Sequence, residues 1–283
     1  MRLSRLANRV QLGICLLAAL HCSGAIAADT DSRADAAAES SAAGAQEVSY
    51  ESTVTEFEIG HQALLAKDYE KAYASLRSAA EQGDADAQAA LGAMYLAGEG
   101  VGADDAEALG WFLKAAEQGN AKAQVSLGRM YARGQGVPRD DEAAVKWYAL
   151  AAEMEDPAAQ SFLGAMYVEG RGVEKNEAEA ARLLHMAALH GDPQAQYNLG
   201  VMFLYGRGVE RDDAEGAQWI HRAADQGIAL AQYYVGVSYA EGRGVDRDGN
   251  EAVKWLTSAA LQGLSLAKDY LRVNGNIAVK AGN

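Results

Sequence analysis

The histidines are the first side chains to weigh as catalytic or metal-binding groups in this chain of 283 residues. Four of the five histidines, His61, His185, His190 and His221, lie beyond the N-terminal segment, and the closest two are five residues apart. Two ligands on one helix face need a spacing of three or four residues. HExxH, P-loop and nucleophile-elbow motifs are also absent. The sequence therefore predicts neither a metal centre nor a cofactor.

One short motif could support acyl transfer. Ser265 and Lys268 stand three residues apart, the spacing of a nucleophilic serine and its lysine, but the Ser-Asp-Asn and Lys-Thr-Gly motifs that complete such a site are missing. Ser265 also lies where a last helix is expected to begin. We therefore expect a protein that is not an enzyme, with a hydrolase acting on β-lactams or cell-wall material as the alternative.

A pattern that recurs every 36 residues dominates the rest of the chain. Each unit has a glutamine, a glycine four residues later, a Gly-x-Gly-Val element and an Ala-Ala pair. Repeats of this length stack on their neighbours to bury their apolar faces, so the pattern predicts a solenoid. The repeated glutamines are Gln88, Gln124, Gln160, Gln196 and Gln232.

Each unit is predicted to be a pair of helices, because its apolar residues recur at helical spacing. In the first unit, Asp84 and Asp104 are the expected N-caps of the two helices, and Gly98 is the expected stop of the first. Gly92 and its equivalents lie mid-helix, which predicts a close approach between helices. A register of tryptophans on the second helices is predicted to be core: Trp111, Trp147, Trp219 and Trp255.

This unit, Ala-x-Ala-Gln-x-x-Leu-Gly-x-Met-Tyr-x-x-Gly-x-Gly-Val, resembles the Sel1-like repeat, a relative of the tetratricopeptide repeat. Residues 124–137, QVSLGRMYARGQGV, are a close match. The resemblance implies an all-α fold, a right-handed α/α superhelical solenoid of stacked helix-turn-helix repeats whose concave face binds other proteins. It further implies roles like those of exported bacterial members, which regulate envelope signalling, secretion and host contact. Some cysteine-rich members are linked to β-lactam binding or hydrolysis, and this sequence lacks those cysteines.

The N-terminus has the form of a secretory signal peptide. Arginines precede the apolar run 12–20, and Ala-Ile-Ala at 25–27 supplies a cleavage site. Removing 1–27 would remove both cysteines and three arginines, taking the formal net charge from −14 to −17. We expect a periplasmic or secreted protein without a membrane span in the mature chain, and its acidity argues against nucleic-acid binding. In the alternative, Cys22 is lipidated in an outer-membrane component of a secretion machine, although His21 fits a lipobox poorly.

The predicted organisation follows from these patterns. Residues 28–52, rich in alanine, serine and aspartate, form a flexible linker. Residues 53–83 form an atypical N-terminal helical repeat, and 84–264 form the five repeats. Residues 265–283 form a capping helix and tail, as the exposed end of a solenoid requires.

Candidate contact residues lie on the first helices, which line the concave side of a helical-hairpin superhelix. Aromatic and arginine side chains there are typical of binding hot spots, with packing between repeats as the alternative for some tyrosines. The predicted partner-binding residues are Arg129, Arg133, Phe162, Tyr197, Asn198, Tyr205, Tyr233 and Tyr234.

A second candidate surface is a basic row in the loops, formed by Arg171, Arg207 and Arg243. The alternative is a local role, in which these charges offset helix dipoles and pair with nearby acids. The sequence as a whole predicts an exported, non-catalytic scaffold or adaptor of the bacterial cell envelope that binds a protein partner.

Overall fold

The structure is a computed structural model that describes residues 54–274. The predicted signal peptide (1–27), the predicted linker (28–52) and the last nine residues of the predicted tail lie outside this range. Over the described range the chain forms thirteen α-helices and no strand, which confirms the all-α solenoid of helix-turn-helix repeats. The helices are α1 (Glu56–Leu65), α2 (Tyr69–Glu81), α3 (Ala85–Ala97), α4 (Asp105–Glu117), α5 (Ala121–Arg133), α6 (Asp141–Glu153), α7 (Pro157–Glu169), α8 (Glu177–Leu189), α9 (Pro193–Tyr205), α10 (Asp213–Asp225), α11 (Ala229–Glu241), α12 (Gly249–Leu261) and α13 (Ser265–Val273).

Local capping sets the helix boundaries. The side chain of Asp84 accepts a hydrogen bond from the N–H of Ala87 at 2.7 Å, and that of Asp104 accepts one from the N–H of Glu107 at 3.0 Å. Gly98 ends α3 in the left-handed conformation with φ of 71°. These caps satisfy backbone groups that a helix end would otherwise leave unpaired, and they confirm the predicted starts and stops.

The helices of a pair touch at the mid-helix glycines. A Cβ added at Gly92 would lie 2.9 Å from the Phe112 ring, and one added at Gly200 would lie 2.5 Å from Cγ1 of Ile220. This confirms the predicted close approach and shows why the repeat keeps glycine there despite its cost within a helix. The residues that fill this contact are all buried: Phe112, Tyr148, Leu184, Ile220 and Leu256.

Each repeated tryptophan directly precedes, in the sequence, the residue that contacts the mid-helix glycine. The prediction that these tryptophans belong to the core was right only in part. Trp219 is 6% exposed, whereas Trp111, Trp147 and Trp255 are half-buried. These tryptophans are only half-buried because the residue after each of them occupies the contact with the glycine. The indole therefore lies beside that contact rather than in it. The Trp111 ring packs against the cluster formed by α1, α2 and α3, and the Lys114 ammonium lies over it, 3.9 Å from its centroid.

The repeated glutamine joins three helices through its buried amide. Gln88 Nε2 donates to the carbonyl oxygen of Ala80 in the preceding pair at 3.1 Å. Its Oε1 accepts from Nε2 of Gln118, at the end of α4, at 2.8 Å. Gln196 and Gln232 make the same two bonds, so the glutamine holds successive pairs together.

This glutamine network is interrupted in the middle of the array. Met154 and His190 occupy the positions of Gln118 in the second and third units. Among the described residues, Oε1 of Gln124 and Oε1 of Gln160 consequently have no hydrogen-bond partner, and Nε2 of Gln160 also has none. A buried polar group left unpaired costs about 1–3 kcal/mol, so we expect these two junctions to be weaker than those in which the glutamine makes both bonds.

Candidate functional site

Among residues 54–274, the histidines and Ser265 do not assemble into a catalytic group. His185 and His221 pack edge-on against Trp219 and Trp255, with ring centroids 5.9 Å and 5.2 Å apart. Ser265 is exposed at the first turn of α13. Across 54–274 no group of three or more histidine, cysteine or acidic side chains is placed to hold a metal ion. In the same range, no helix has both the length and the apolar character needed to cross a bilayer.

The predicted tyrosines of the fourth and fifth units come together in one aromatic cluster. The Tyr234 ring centroid lies 5.9 Å from that of Tyr197 and 5.6 Å from that of Tyr233. Tyr233 in turn lies 6.1 Å from Tyr270 of α13. Tyr270 was missed in the sequence, although it follows Tyr234 by one repeat period. The guanidinium carbon of Arg243 lies 5.2 Å from the Tyr205 centroid at the rim of the cluster.

Burial divides the cluster into packed and accessible residues. Tyr197 is 2% exposed and Asn198 is 5% exposed, so these two side chains pack between repeats and have almost no surface to offer. Tyr205, Tyr233 and Tyr234 are half-buried. Burial raises the pKa of Tyr233 to about 12 and raises that of Tyr234 further. Their hydroxyls therefore stay protonated at neutral pH and can donate hydrogen bonds.

Arg129, Arg133 and Phe162 form a second group, around Tyr148 of α6. Phe162 is half-buried and stacks on the Tyr148 ring with centroids 5.1 Å apart and planes 21° apart. Burial raises the pKa of Tyr148, and the nearby charges of Arg129 and Arg133 oppose that shift. Both arginines are half-buried on α5, one turn apart. The predicted contact residues therefore form a cationic region on α5–α7 and an aromatic region on α9–α13.

The basic row in the loops is charge-compensated. Each loop arginine reaches the first residue of the second helix in the preceding unit, as Arg207 reaches Glu177 at 2.8 Å. A cation from the loop just before that helix approaches the same carboxylate, as Lys175 does at 2.9 Å. This geometry fits the local role better than a partner surface. The equivalent contacts join Arg171 and Arg139 to Asp141, and Arg243 and Arg211 to Asp213.

We predict an acid-dependent contribution of Asp213 to stability. Hydrogen bonds, first from Arg211 and then from Arg243, hold its pKa at about 2 although partial burial opposes them. Because the pKa is lower in the folded protein than the usual value of about 3.9, the stabilisation is present above about pH 4 and is lost as pH falls towards 2. Asp213→Asn should therefore lower the unfolding midpoint in urea at neutral pH and flatten its decline between about pH 4 and pH 2.

The matched control for this prediction is Asp246→Asn, which neutralises an exposed carboxylate in the next loop. Circular dichroism during urea unfolding at stepped pH gives the midpoints. A variant with Asn at position 213 whose decline with acid equals that of the unmodified chain would contradict the role given to this ion pair.

The Sel1 repeat family model matches this chain in six consecutive segments: 57–84, 85–120, 121–156, 157–192, 193–228 and 229–264. The first segment is shorter than the others and covers α1 and α2. No curated protein matches the chain.

The solved structures that are similar to it include two with about one third of their residues identical. One is a protective antigen present in uropathogenic Escherichia coli strains, described as displaying an SLR fold, with 33% identity and a TM-score of 0.69. That match covers 80% of this chain and 52% of the other, so this chain spans about half the length of the antigen. The other is a Sel1 repeat protein from Oxalobacter formigenes, with 34% identity and a TM-score of 0.72, covering 81% of this chain and 90% of the other.

Proposed function

Given that this chain belongs to the Sel1 repeat family, whose members generally mediate protein–protein interactions, we propose that it is an exported, non-catalytic adaptor of the bacterial cell envelope. It binds a protein partner through the first-helix surface. This surface is defined by the half-buried residues Arg129, Arg133, Phe162, Tyr205, Tyr233 and Tyr234.

The observation that carries this proposal is the accessible part of the aromatic cluster. Tyr205, Tyr233 and Tyr234 are held by ring contacts, yet each keeps part of its side chain open to solvent. Rings fixed in this way lose little conformational entropy when a partner binds, and protonated hydroxyls add directional hydrogen bonds. Tyrosine and arginine are also the side chains in which binding energy concentrates.

Export is supported by the N-terminal pattern, in which arginines precede an apolar run and an Ala-Ile-Ala cleavage site. The acidic net charge, −14 for the full sequence and −17 without residues 1–27, keeps such a protein soluble and repels anionic lipid and nucleic acid. The similar structure from uropathogenic Escherichia coli is described as a protective antigen, a role that agrees with an exported protein. A non-catalytic role fits the exposed Ser265 and the scattered histidines.

Photo-crosslinking in intact cells tests the proposal. A photoreactive phenylalanine at position 234 keeps an aromatic ring in the cluster, and the same group at Gln218, which is exposed on α10, is the matched control. We expect a discrete crosslinked protein from position 234 and none from position 218. Equal crosslinking from both positions, or none from position 234 in a folded variant, would count against the first-helix surface.

A further inference from the structure

The end of α6 departs from the repeat at three positions. Leu150 stands where α4 has Lys114, and its side chain is exposed. Met154, also exposed, follows α6 where Gln118 follows α4. Glu155 stands where each of the other four full units has glycine, and it takes the glycine-like φ of 61°.

Each of these departures lowers the stability of the isolated chain. Exposed leucine and methionine side chains leave apolar surface in water. Met154 also lacks the N–H group that would pair with Oε1 of Gln124. A residue with a side chain is strained in the left-handed conformation, as Glu155 is and glycine is not. Residues that cost stability collect at functional sites, so three of them between positions 150 and 155 indicate a contact made by this surface.

The next second helix, α8, extends the apolar surface. Leu183 of α8 packs in the same buried cluster as Tyr148 of α6, so the two helices are neighbours. On α8, Met186 is half-buried at the repeat position of Leu150, and Leu189 is exposed one turn later. Scattered apolar residues on a surface are ordinary, whereas a group of them on adjacent helices is typical of an interaction site. The group, called here the second-helix patch, consists of Leu150, Met154, Met186 and Leu189.

The patch lies between opposite charges on α6. Lys146, one turn before Leu150, is exposed, and within residues 54–274 it takes part in no ion pair. Glu153 and Glu155, at the other end of the patch, are exposed and, in the same range, equally without an ion pair. The carboxyl end of a helix adds negative partial charge. The surface of α6 is therefore positive on one side of Leu150 and negative on the other.

We propose that the second-helix patch is the contact between two copies of this chain, with α6 of one copy antiparallel to α6 of the other. A two-fold axis across the helices places Leu150 against Leu150 of the second copy. Lys146 lies four residues before Leu150 and Glu153 three residues after it, so each Lys146 meets Glu153 of the other copy. Because Met186 has the repeat position of Leu150, the two copies of α8 meet at the same level. A contact of this kind uses one surface twice, as in most homodimers.

The charges select the occupant of the patch. A matching surface needs an apolar centre with an ammonium on one side and a carboxylate on the other, in the reverse order. A second copy of α6 supplies all three. Anionic lipid and nucleic acid do not match, because Glu153 and Glu155 repel them.

The size of the patch determines how firmly the copies associate. Helices of this length are about 20 Å long and pack about 10 Å apart, so α6 and α8 together offer roughly 400 Å² per copy. Stable specific interfaces bury about 1,200–2,000 Å² in total. We therefore expect a reversible dimer with a dissociation constant on the order of micromolar.

Sedimentation equilibrium of the purified chain between about 1 and 200 µM tests the inference. We expect monomer at the lower end of this range and dimer at the upper end. Leu150→Lys should weaken dimerisation by at least about tenfold, because two ammonium groups would meet at the two-fold axis. This variant should fold, since Lys114 occupies the same position in α4. A monomer at every concentration of the unmodified chain would overturn the inference.

Leu65→Lys is the matched control. Leu65 is 48% exposed on α1, and Leu150 is 45% exposed on α6, so the two substitutions remove similar apolar surface. Leu65→Lys should leave the dissociation constant of the dimer unchanged. Equal weakening by the two substitutions would show that the dimer does not depend on the second-helix patch.

Exchanging the charges tests the antiparallel arrangement. Lys146→Glu and Glu153→Lys should each weaken dimerisation, because each converts both pairs between the copies into pairs of like charge. An equal mixture of the two variants should form mixed dimers about as readily as the unmodified chain forms its own, since each pair then joins a glutamate to a lysine. A mixture that associates no better than either variant alone would reject this arrangement.

The inference is independent of the proposed function, because the second-helix patch and the first-helix surface belong to different helices. Leu150→Lys should leave crosslinking from position 234 in cells unchanged. A dimer that forms although position 234 captures no partner would reject the adaptor site and support the patch. Crosslinking from position 234 in a chain that is monomeric throughout would support the adaptor site and reject the patch.

Discussion

Replacing Gly200 by alanine is expected to lower the free energy of unfolding by about 2–3 kcal/mol, although alanine is the better helix former. The added Cβ would lie 2.5 Å from Cγ1 of Ile220 and 2.8 Å from the carbonyl oxygen of Gly216. The second contact is with backbone, which cannot rotate away, so α9 and α10 would have to separate. Helix propensity alone would favour alanine by about 1 kcal/mol.

Gly110→Ala is the matched control, because Gly110 also lies inside a helix but a Cβ there would meet no heavy atom within 4 Å. It should stabilise the protein by up to about 1 kcal/mol. Urea unfolding of the two variants beside the unmodified chain measures both effects. Changes of the same sign at the two positions would contradict the close approach of the helices.

Gly208→Ala is expected to destabilise the array by about 3 kcal/mol or more, through two separate costs. Gly208 has φ of 68°, which costs a residue with a side chain about 1–2 kcal/mol. A Cβ there would also overlap the backbone of Glu177 and Ala178, at the start of α8 in the preceding unit. The second cost falls on the contact between units, since the loop after α9 must move off its neighbour.

Gly227→Ala isolates the first cost, because Gly227 has φ of 91° and no heavy atom within 4 Å of the added Cβ. The difference between the two variants measures the contact between units. In a repeat array a weakened contact uncouples the units on either side, so Gly208→Ala should also make tryptophan fluorescence and circular dichroism report different urea midpoints. Equal destabilisation by the two substitutions would show that the loop contact contributes nothing.

The helices could be predicted from the sequence because their signals are local. Asp84, Asp104 and Gly98 act on backbone groups within a few residues, and their spacing alone fixes where helices begin and end. The glutamines were recognised as markers of the repeat, but their role was not. The bond between Gln88 and Gln118 joins residues thirty apart, and no local rule identifies such a partner.

The candidate surface also depends on contacts between residues that are distant in the sequence, which local patterns do not predict. Tyr197 and Tyr233 occupy one register of the repeat, yet Tyr197 is buried and Tyr233 is only half-buried. A full unit with Tyr234 follows Tyr197, whereas only the shorter helix α13 follows Tyr233. The exposure of a side chain at a given repeat position therefore depends on which residues of the next unit cover it. The position within the repeat does not reveal this. The loop arginines were ambiguous for a similar reason, since their acids belong to the preceding unit.

The arginine–carboxylate pairs and the glutamine–glutamine hydrogen bonds both join residues thirty positions apart, and this spacing has an evolutionary consequence. Arg171 with Asp141 and Arg207 with Glu177 use the same two positions in successive units, and the glutamine bonds repeat likewise. In-frame duplication or loss of 36 residues would thus bring equivalent donors and acceptors together again at the new junction. Unequal recombination within the gene could lengthen or shorten the binding surface without a redesigned interface, leaving selection free to act on the few first-helix side chains that differ between units.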